Sequence, residues 1–354
     1  MKKIRVLIMG DSSVVCSMLS RELSAYREIS AEGISCNPYS ARDKIKEDEI
    51  DVLLLDIDMR NMNGLALLKS ITKLTLVPVI VMSSLITSGD QTVVQALELG
   101  AVDAACKPGG PFPVKETVGD LYRKIQGASA VSVWKFYKTA HRLNDFFRNK
   151  KNAEPVKLLN PAADNSFVVI GTSTGGVLAL EELFSGFSSV FPPVFVVTHM
   201  PPGVTASLAG RLDRLYAFHV KEAQDGENPV KGTVYLSPGW STMLVDRSDT
   251  GTVIRIKNRY AAGNNECHTA DMLFMSAAES AGKNCIAVLL TGTGVDGAAG
   301  MKAVHDAGGW TIVQDKRTCI VYDMPGTAVT LGVVSEILPI NEIAERIEKK
   351  TTSG

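Results

Sequence analysis

Residues 167–184 read FVVIGTSTGGVLALEELF. A continuous apolar run gives way at Gly171 to a turn of glycines and hydroxyls, and a helical pattern follows at once. An apolar run of this length reads as a strand buried on both faces. Strand, glycine turn and helix together form the repeating unit of a parallel α/β sheet, in which ligands bind beyond the carboxyl ends of the strands. The helix start offers free N–H groups to any anion. The turn therefore suits three uses. Ser173 is a nucleophile that the glycines expose, or the glycines cradle a phosphate, or the serine merely caps the helix.

The same rhythm continues downstream. PVFVVT (193–198) runs into His199-Met200-Pro201-Pro202, TVYLSPG (233–239) follows, CIAVLLTG (285–292) runs into TGVDG, and WTIVQD (310–315) into a further loop. Three of these loops present Ser173, His199 and Asp296. A serine hydroxyl becomes a nucleophile when a base takes its proton, and an imidazole does so when a carboxylate fixes its tautomer. GTSTG also fits the G-x-S-x-G elbow. A rival reading uses Gly292, Gly294 and Gly297, where GTGVDG has the spacing of a dinucleotide fingerprint and Asp315 ends the next strand. Asp296 counts against it, because its charge would face the incoming pyrophosphate.

The first hundred residues carry four apolar runs, IRVLIM (4–9), IDVLLLD (50–56), VPVIVMS (77–83) and AVDAAC (101–106), with helical patterns between them. They predict a second parallel sheet covered on both faces. Its strand ends offer Asp11, Asp56, Ser83 and Lys107. Carboxylates suit Mg²⁺, an aspartate beside a bound cation can accept a phosphoryl group, and lysine and serine can stabilise the product.

Between the halves, Val133, Phe136, Tyr137 and Ala140 recur at helical spacing, and RNKKNAEPVKLLNPAADNS reads as a flexible hinge. The aromatics Trp134, Phe136, Tyr137, Phe146 and Phe147 either dock a partner or pack on their own domain. A formal net charge of −1 gives no reason to expect nucleic acid or anionic membrane as a partner. No apolar run approaches the ~20 residues of a membrane span, and the start lacks the features of a signal peptide. The six cysteines are scattered without a CxxC pair, as expected of reduced thiols in a cytoplasmic protein. His141, His219, His268 and His305 lie outside any visible ligand cluster.

LLLDIDMRNMNGLALL, PVIVMSS and LGAVDAACKP together resemble a response-regulator receiver domain. IGTSTGG, THMPPG, KEAQDGE, YLSPG, VLLTGTGVDGAAGM, AGGWTIVQD and MPGTAV occur in the order found in chemotaxis protein-glutamate methylesterases. The resemblance implies an α/β chain with a doubly wound, flavodoxin-like receiver over residues 1–126, a linker with one amphipathic helix over 127–165, and a parallel-sheet methylesterase domain over 166–350. It makes Ser173 the nucleophile, His199 the general base and acid, and Asp296 the residue that orients it. The backbone N–H groups of Thr174 and Thr293 would form the oxyanion hole. Asp56 would be the phosphorylation site, Ser83 and Lys107 the switch residues, and Asp11 with Asp56 the Mg²⁺ ligands. The esterase itself needs no cofactor.

The substrate implied is a methylated chemoreceptor, whose glutamate esters are hydrolysed and whose glutamines are deamidated. The implied phosphodonor is the chemotaxis histidine kinase, and phosphorylation would open a catalytic cleft that the receiver otherwise covers. Three departures from the family pattern stand out. Gly10 precedes Asp11 where receivers carry two acids, Thr293 replaces a methionine, and NNECHTADMLF (264–274) replaces most of a Gly-Pro…Arg-Pro-Ser-Val-Asp stretch. They leave open a receptor-binding protein of the same fold with weak turnover, and GTGVDG leaves open an NAD-linked enzyme.

Overall fold

Each apolar run expected to be a strand is one in the computed structural model, which describes residues 2–35, 43–45, 49–60, 62–84, 91–109, 114–149, 166–187, 191–248, 251–258 and 269–352. Residues 150–165 of the hinge expected over 148–166, the first residues of the 264–274 stretch, and Cys36, Cys267 and His268 lie outside the described residues, while 148–149 continue a helix. The chain divides into two units, Met1–His141 and Arg142–Gly354.

In the first unit, β1 (Ile4–Gly10), β2 (Ile29–Ser35), β3 (Val52–Asp56), β4 (Val79–Ser83) and β5 (Asp103–Cys106) form a parallel sheet in the order β2-β1-β3-β4-β5. Strand β2 was not expected. Its sequence, ISAEGIS, has no continuous apolar run because it is an edge strand paired to β1 alone. Helices α1 (Ser13–Ser24) and α4 (Val114–Ser129) bury Leu19, Leu23, Val118, Leu121 and Ile125 against Val6, Ile8, Leu54 and Ile80. The alternate strand residues Leu7, Leu53, Leu55, Val79 and Val81 are equally buried. Side chains alternate across a strand, so α2 (Gly64–Leu74) and α3 (Thr92–Glu98) close the opposite face through Leu68 and Val94. Ser12 Oγ caps α1 by accepting from Val15 N, and Asn63 Oδ1 caps α2 by accepting from Ala66 N.

Helix α5 (Val133–Asn149) contains the boundary between the units. Phe136 is buried, and the Tyr137 ring lies where a side chain on Gly100 would meet it. Phe147 packs edge-on to Tyr216. These three aromatics therefore pack on their own units, while Trp134 and Phe146 are exposed.

The second unit is a parallel sheet of seven strands: β6 (Phe167–Thr172), β7 (Val194–Thr198), β8 (His219–Glu222), β9 (Thr233–Leu236), β12 (Cys285–Leu289), β13 (Trp310–Gln314) and β14 (Glu336–Leu338). Their order is β14-β13-β12-β6-β7-β9-β8. An antiparallel hairpin, β10 (Ser241–Ser248) with β11 (Gly251–Asn258), was not foreseen either. It turns Met243, Val245 and Ile254 into one core with Phe274 of α8 (Thr269–Ala281), Met301 of α9 (Ala298–Asp306) and Ala328 of α10 (Asp323–Thr330). The other face is covered by α6 (Gly176–Ser185), α7 (Val204–Leu215) and α11 (Ile340–Thr352), through Leu183, Leu208 and Ile343. Among the described residues, no helix is long and apolar enough to cross a membrane.

Candidate active site

Strand order decides which loops meet. β12, β6 and β7 are neighbours, and being parallel they end on the same edge of the sheet. Ser173 follows β6 directly, His199 follows β7, and Asp296 lies between β12 and α9. His199 Nε2 and Asp296 Oδ2 are 2.8 Å apart, a hydrogen bond between the loops of the two strands that flank β6. Ser173, half-buried, begins where that middle strand stops.

The elbow owes its shape to glycine. Gly175 has φ 79°, and a Cβ there would lie 2.7 Å from Ile320 Cβ. A β-carbon on Gly292 would lie 2.9 Å from Ser173 Cβ, so bare backbone is needed where the β12 loop passes the serine. Gly176 N donates to Ser173 O at 2.8 Å, which closes the turn into α6.

Asp296 is held from behind. Its Oδ2 accepts Ala270 N at 3.0 Å and its Oδ1 accepts Asp271 N at 2.9 Å, both from the first turn of α8. A carboxylate there satisfies orphan amides and faces the positive end of the helix dipole. Burial alone pushes this carboxyl up, but the His199 hydrogen bond and charge, with the two amides, outweigh it and hold Asp296 below the usual carboxylate range. Asp271 in turn accepts Gly300 N at 2.7 Å, tying α8 to α9.

Sequence reasoning missed Thr291, which is fully buried. Its carbonyl accepts Ser173 N at 3.0 Å and Thr172 Oγ1 at 2.8 Å, and its hydroxyl lies 3.0 Å from Thr174 O. Thr293 Oγ1 donates to Thr174 Oγ1 at 3.2 Å, so the two residues assigned to the oxyanion hole are in contact. Asp315, required by the dinucleotide reading, instead accepts from Thr318 N and Oγ1 and from Arg317 Nε.

The first unit brings its predicted residues together at one sheet edge. Lys107 Nζ lies 2.5 Å from Asp56 Oδ2 and 3.9 Å from Asp11 Oδ1. Asp56 Oδ1 accepts Asp58 N at 3.0 Å, and Asp11 Oδ2 accepts Arg60 N at 3.0 Å. Two carboxylates that converge on one cationic centre are the hard-oxygen donor set of Mg²⁺, and these residues fit it. A side chain at Gly10 would begin 3.4 Å from Asp56 Oδ2 and 3.2 Å from Cys16 Sγ. Burial, and after it the charge of Asp56, push the Cys16 thiol up. Ser83 Oγ donates to Asp58 Oδ2 at 2.9 Å, and Ser84 N and Oγ donate to the same oxygen. Asp58 is thus a member of this cluster that the strand-end argument did not select.

The CheB methylesterase family model matches residues 168–347, and the response regulator receiver domain model matches residues 6–118. A protein-glutamate methylesterase/protein-glutamine glutaminase of Bordetella parapertussis is 38% identical over 354 residues, covering 98% of this chain and 97% of that protein. One from Anaeromyxobacter dehalogenans is 39% identical over 346 residues, covering 98% of this chain and 94% of that protein.

Proposed function

Because this chain belongs to the CheB methylesterase family and carries a response regulator receiver domain, we propose that it is a serine esterase acting on chemoreceptors, where it hydrolyses glutamate methyl esters and deamidates glutamines. The observation that carries the reading is the His199–Asp296 hydrogen bond across the end of the strand that Ser173 follows.

The chemistry follows from which nitrogen is engaged. His199 gives Nε2–H to Asp296, so Nδ1 holds the lone pair and is the base. Nδ1 takes the Ser173 proton as Oγ bonds to the ester carbonyl carbon. The carbonyl oxygen becomes an oxyanion, stabilised by the N–H groups of Thr174 and Thr293. Collapse breaks the bond to the methoxy oxygen, Nδ1–H supplies its proton, and methanol leaves an acyl-Ser173. Water then loses a proton to Nδ1 and attacks the acyl carbon. Departure of Ser173 Oγ, reprotonated by His199, releases glutamate. With glutamine the leaving group is ammonia. Asp296 remains ionised throughout, because it faces both the imidazolium and the start of α8.

Control of the activity rests with Asp56. The chemotaxis histidine kinase supplies the phosphoryl group, and Asp11 and Asp56 would hold Mg²⁺, which would supply positive charge to offset that of the phosphoryl group. Lys107, already on Asp56, offsets the added negative charge, and Ser83 hydrogen-bonds a phosphoryl oxygen after leaving Asp58.

Methanol release from methyl-labelled chemoreceptor membranes tests the reading, with and without a small-molecule phosphodonor. Release that disappears in Ser173→Ala, and rises with phosphodonor only while Asp56 is present, is the expected result. Turnover by Ser173→Ala at the wild-type rate overturns the mechanism. A donor effect that survives Asp56→Asn overturns the regulation.

A further inference from the structure

Resting on the esterase reading above, we propose that Thr293 is a positioning residue for the oxyanion hole, and that its hydroxyl, through Thr174 Oγ1, holds two amides from separate chain segments on one point.

Two N–H groups stabilise an oxyanion only if both lie 2.7–3.1 Å from where that oxygen will form. Here they come from different pieces of chain. Thr174 belongs to the β6–α6 elbow and Thr293 to the β12–α9 loop. The pairing of β6 with β12 ends at Gly171 and Leu289, and the backbone bonds that continue it, Leu290 N to Gly171 O at 2.9 Å and Ser173 N to Thr291 O, stop short of Thr174 and Thr293.

Beyond the sheet the two segments are joined by a short series of bonds. Ser173 N donates to Thr291 O at 3.0 Å, Thr291 Oγ1 lies 3.0 Å from Thr174 O, and Thr293 Oγ1 donates to Thr174 Oγ1 at 3.2 Å. The first two are made by Thr291, which is fully buried and anchored a second time through Val321 N at 2.9 Å. The third lies furthest along the loop, past Gly292, whose N donates to Val321 O and whose O accepts Met324 N, both at 3.1 Å. Gly294 and Val295 are exposed, Gly294 has φ 91°, and Thr293 stands between two glycines, Gly292 and Gly294. Glycines broaden the backbone freedom of such a segment. The Thr293 hydroxyl removes that freedom at the residue whose amide is needed. Thr174 is the right partner, being buried and the other donor of the pair.

Position 293 is half-buried, so substitution there leaves the core intact. Thr293→Val keeps the shape and removes the hydroxyl, whereas Thr293→Ser keeps the hydroxyl and removes the methyl. The full chain is assayed for kcat and KM on a glutamate methyl-ester substrate, and for affinity toward a trifluoromethyl ketone that forms a tetrahedral adduct with the serine. Thr293→Val is expected to lower kcat about tenfold with KM unchanged, since one hydrogen bond's contribution is lost in the transition state alone. Inhibitor affinity falls by a similar factor, the pH profile stays where it is, and Thr293→Ser restores kcat to within about twofold of wild type.

A Thr293→Val enzyme within about twofold of wild type in kcat overturns the proposal, as does a loss that Thr293→Ser fails to recover. Ser173→Ala is run in parallel. If it is inactive while Thr293→Val is normal, only the positioning role fails; if Ser173→Ala turns over normally, the esterase reading fails with it.

Discussion

His199 reaches Asp296 through Nε2, at 2.8 Å, and Asp296 reaches back to the first turn of α8 through both carboxylate oxygens. The tautomer of the His199 imidazole is thereby tied to the start of a helix. Nitrogen-15 spectra of the full chain should show His199 with its proton on Nε2 and a bare Nδ1. Asp296→Asn should keep substrate affinity and lower kcat by ~10³–10⁴-fold, because an amide that turns its NH₂ toward Nε2 favours the wrong tautomer.

The same carboxylate links stability to pH. Its pKa in the folded chain lies below the ordinary value of 3.8, so its contribution to stability is complete above that value. As pH falls from there through the lowered pKa, protonation removes the contribution. Denaturation midpoints of the second unit should fall over that acid window in the wild type and fall less in Asp296→Asn, whose side chain does not titrate.

Gly10 predicts an effect whose sign depends on metal. An aspartate there begins 3.4 Å from Asp56 Oδ2, and Asp11 adjoins it in sequence, so three carboxylates repel one another. Gly10→Asp should lower the melting temperature of the first unit in chelator and tighten Mg²⁺ binding, with the loss reduced or reversed at saturating Mg²⁺. Thermal scans with and without Mg²⁺ read both arms.

The first unit also contains a buried ion pair remote from Asp56. Lys124 Nζ lies 2.7 Å from Asp103 Oδ1, both nearly inaccessible. Burial pushes the Lys124 ammonium pKa down, but Asp103 and Asp120 outweigh it and the net shift is upward. Asp103→Ala leaves the cation buried with Asp120 as its remaining anion. The cost should be near the low end of ~3–5 kcal/mol, measured by urea unfolding of the first unit.

Thiol chemistry offers a direct check on burial. Cys16, Cys106, Cys285 and Cys319 are buried. Burial pushes the Cys285 thiol up to about 12, so very little of it is thiolate at neutral pH. Alkylation of the native chain should reach at most the remaining two cysteines, Cys36 and Cys267, and all six after unfolding.

What could be read from sequence was whatever depends on one strand and the loop after it. The apolar runs ending at Ser173, His199 and near Asp296 marked their own carboxyl ends, so the candidate residues were visible one by one. Strand β2 and the β10–β11 hairpin were not, because ISAEGIS, STMLVDRS and GTVIRIKN mix polar with apolar residues and carry no long apolar run. The supporting contacts were equally silent. Thr291 reads as one more polar residue after a strand, yet it anchors Ser173 and Thr174, and Asp58 looks like a loop acid, yet it accepts from Ser83 and Ser84. Such roles depend on which strands become neighbours, and no local pattern encodes that. The Gly-x-Asp-Gly loop hinted at Asp296, but its anchorage on α8 required the tertiary fold.

The central claim is that Ser173 is a nucleophile activated by His199. Mass spectrometry of the full chain after brief exposure to a fluorophosphonate measures this at the residue itself. The account predicts one phosphonyl adduct on the peptide containing Ser173, absent in Ser173→Ala and formed far more slowly in His199→Ala. An adduct on another residue, or labelling of Ser173 at the same rate without His199, would contradict it.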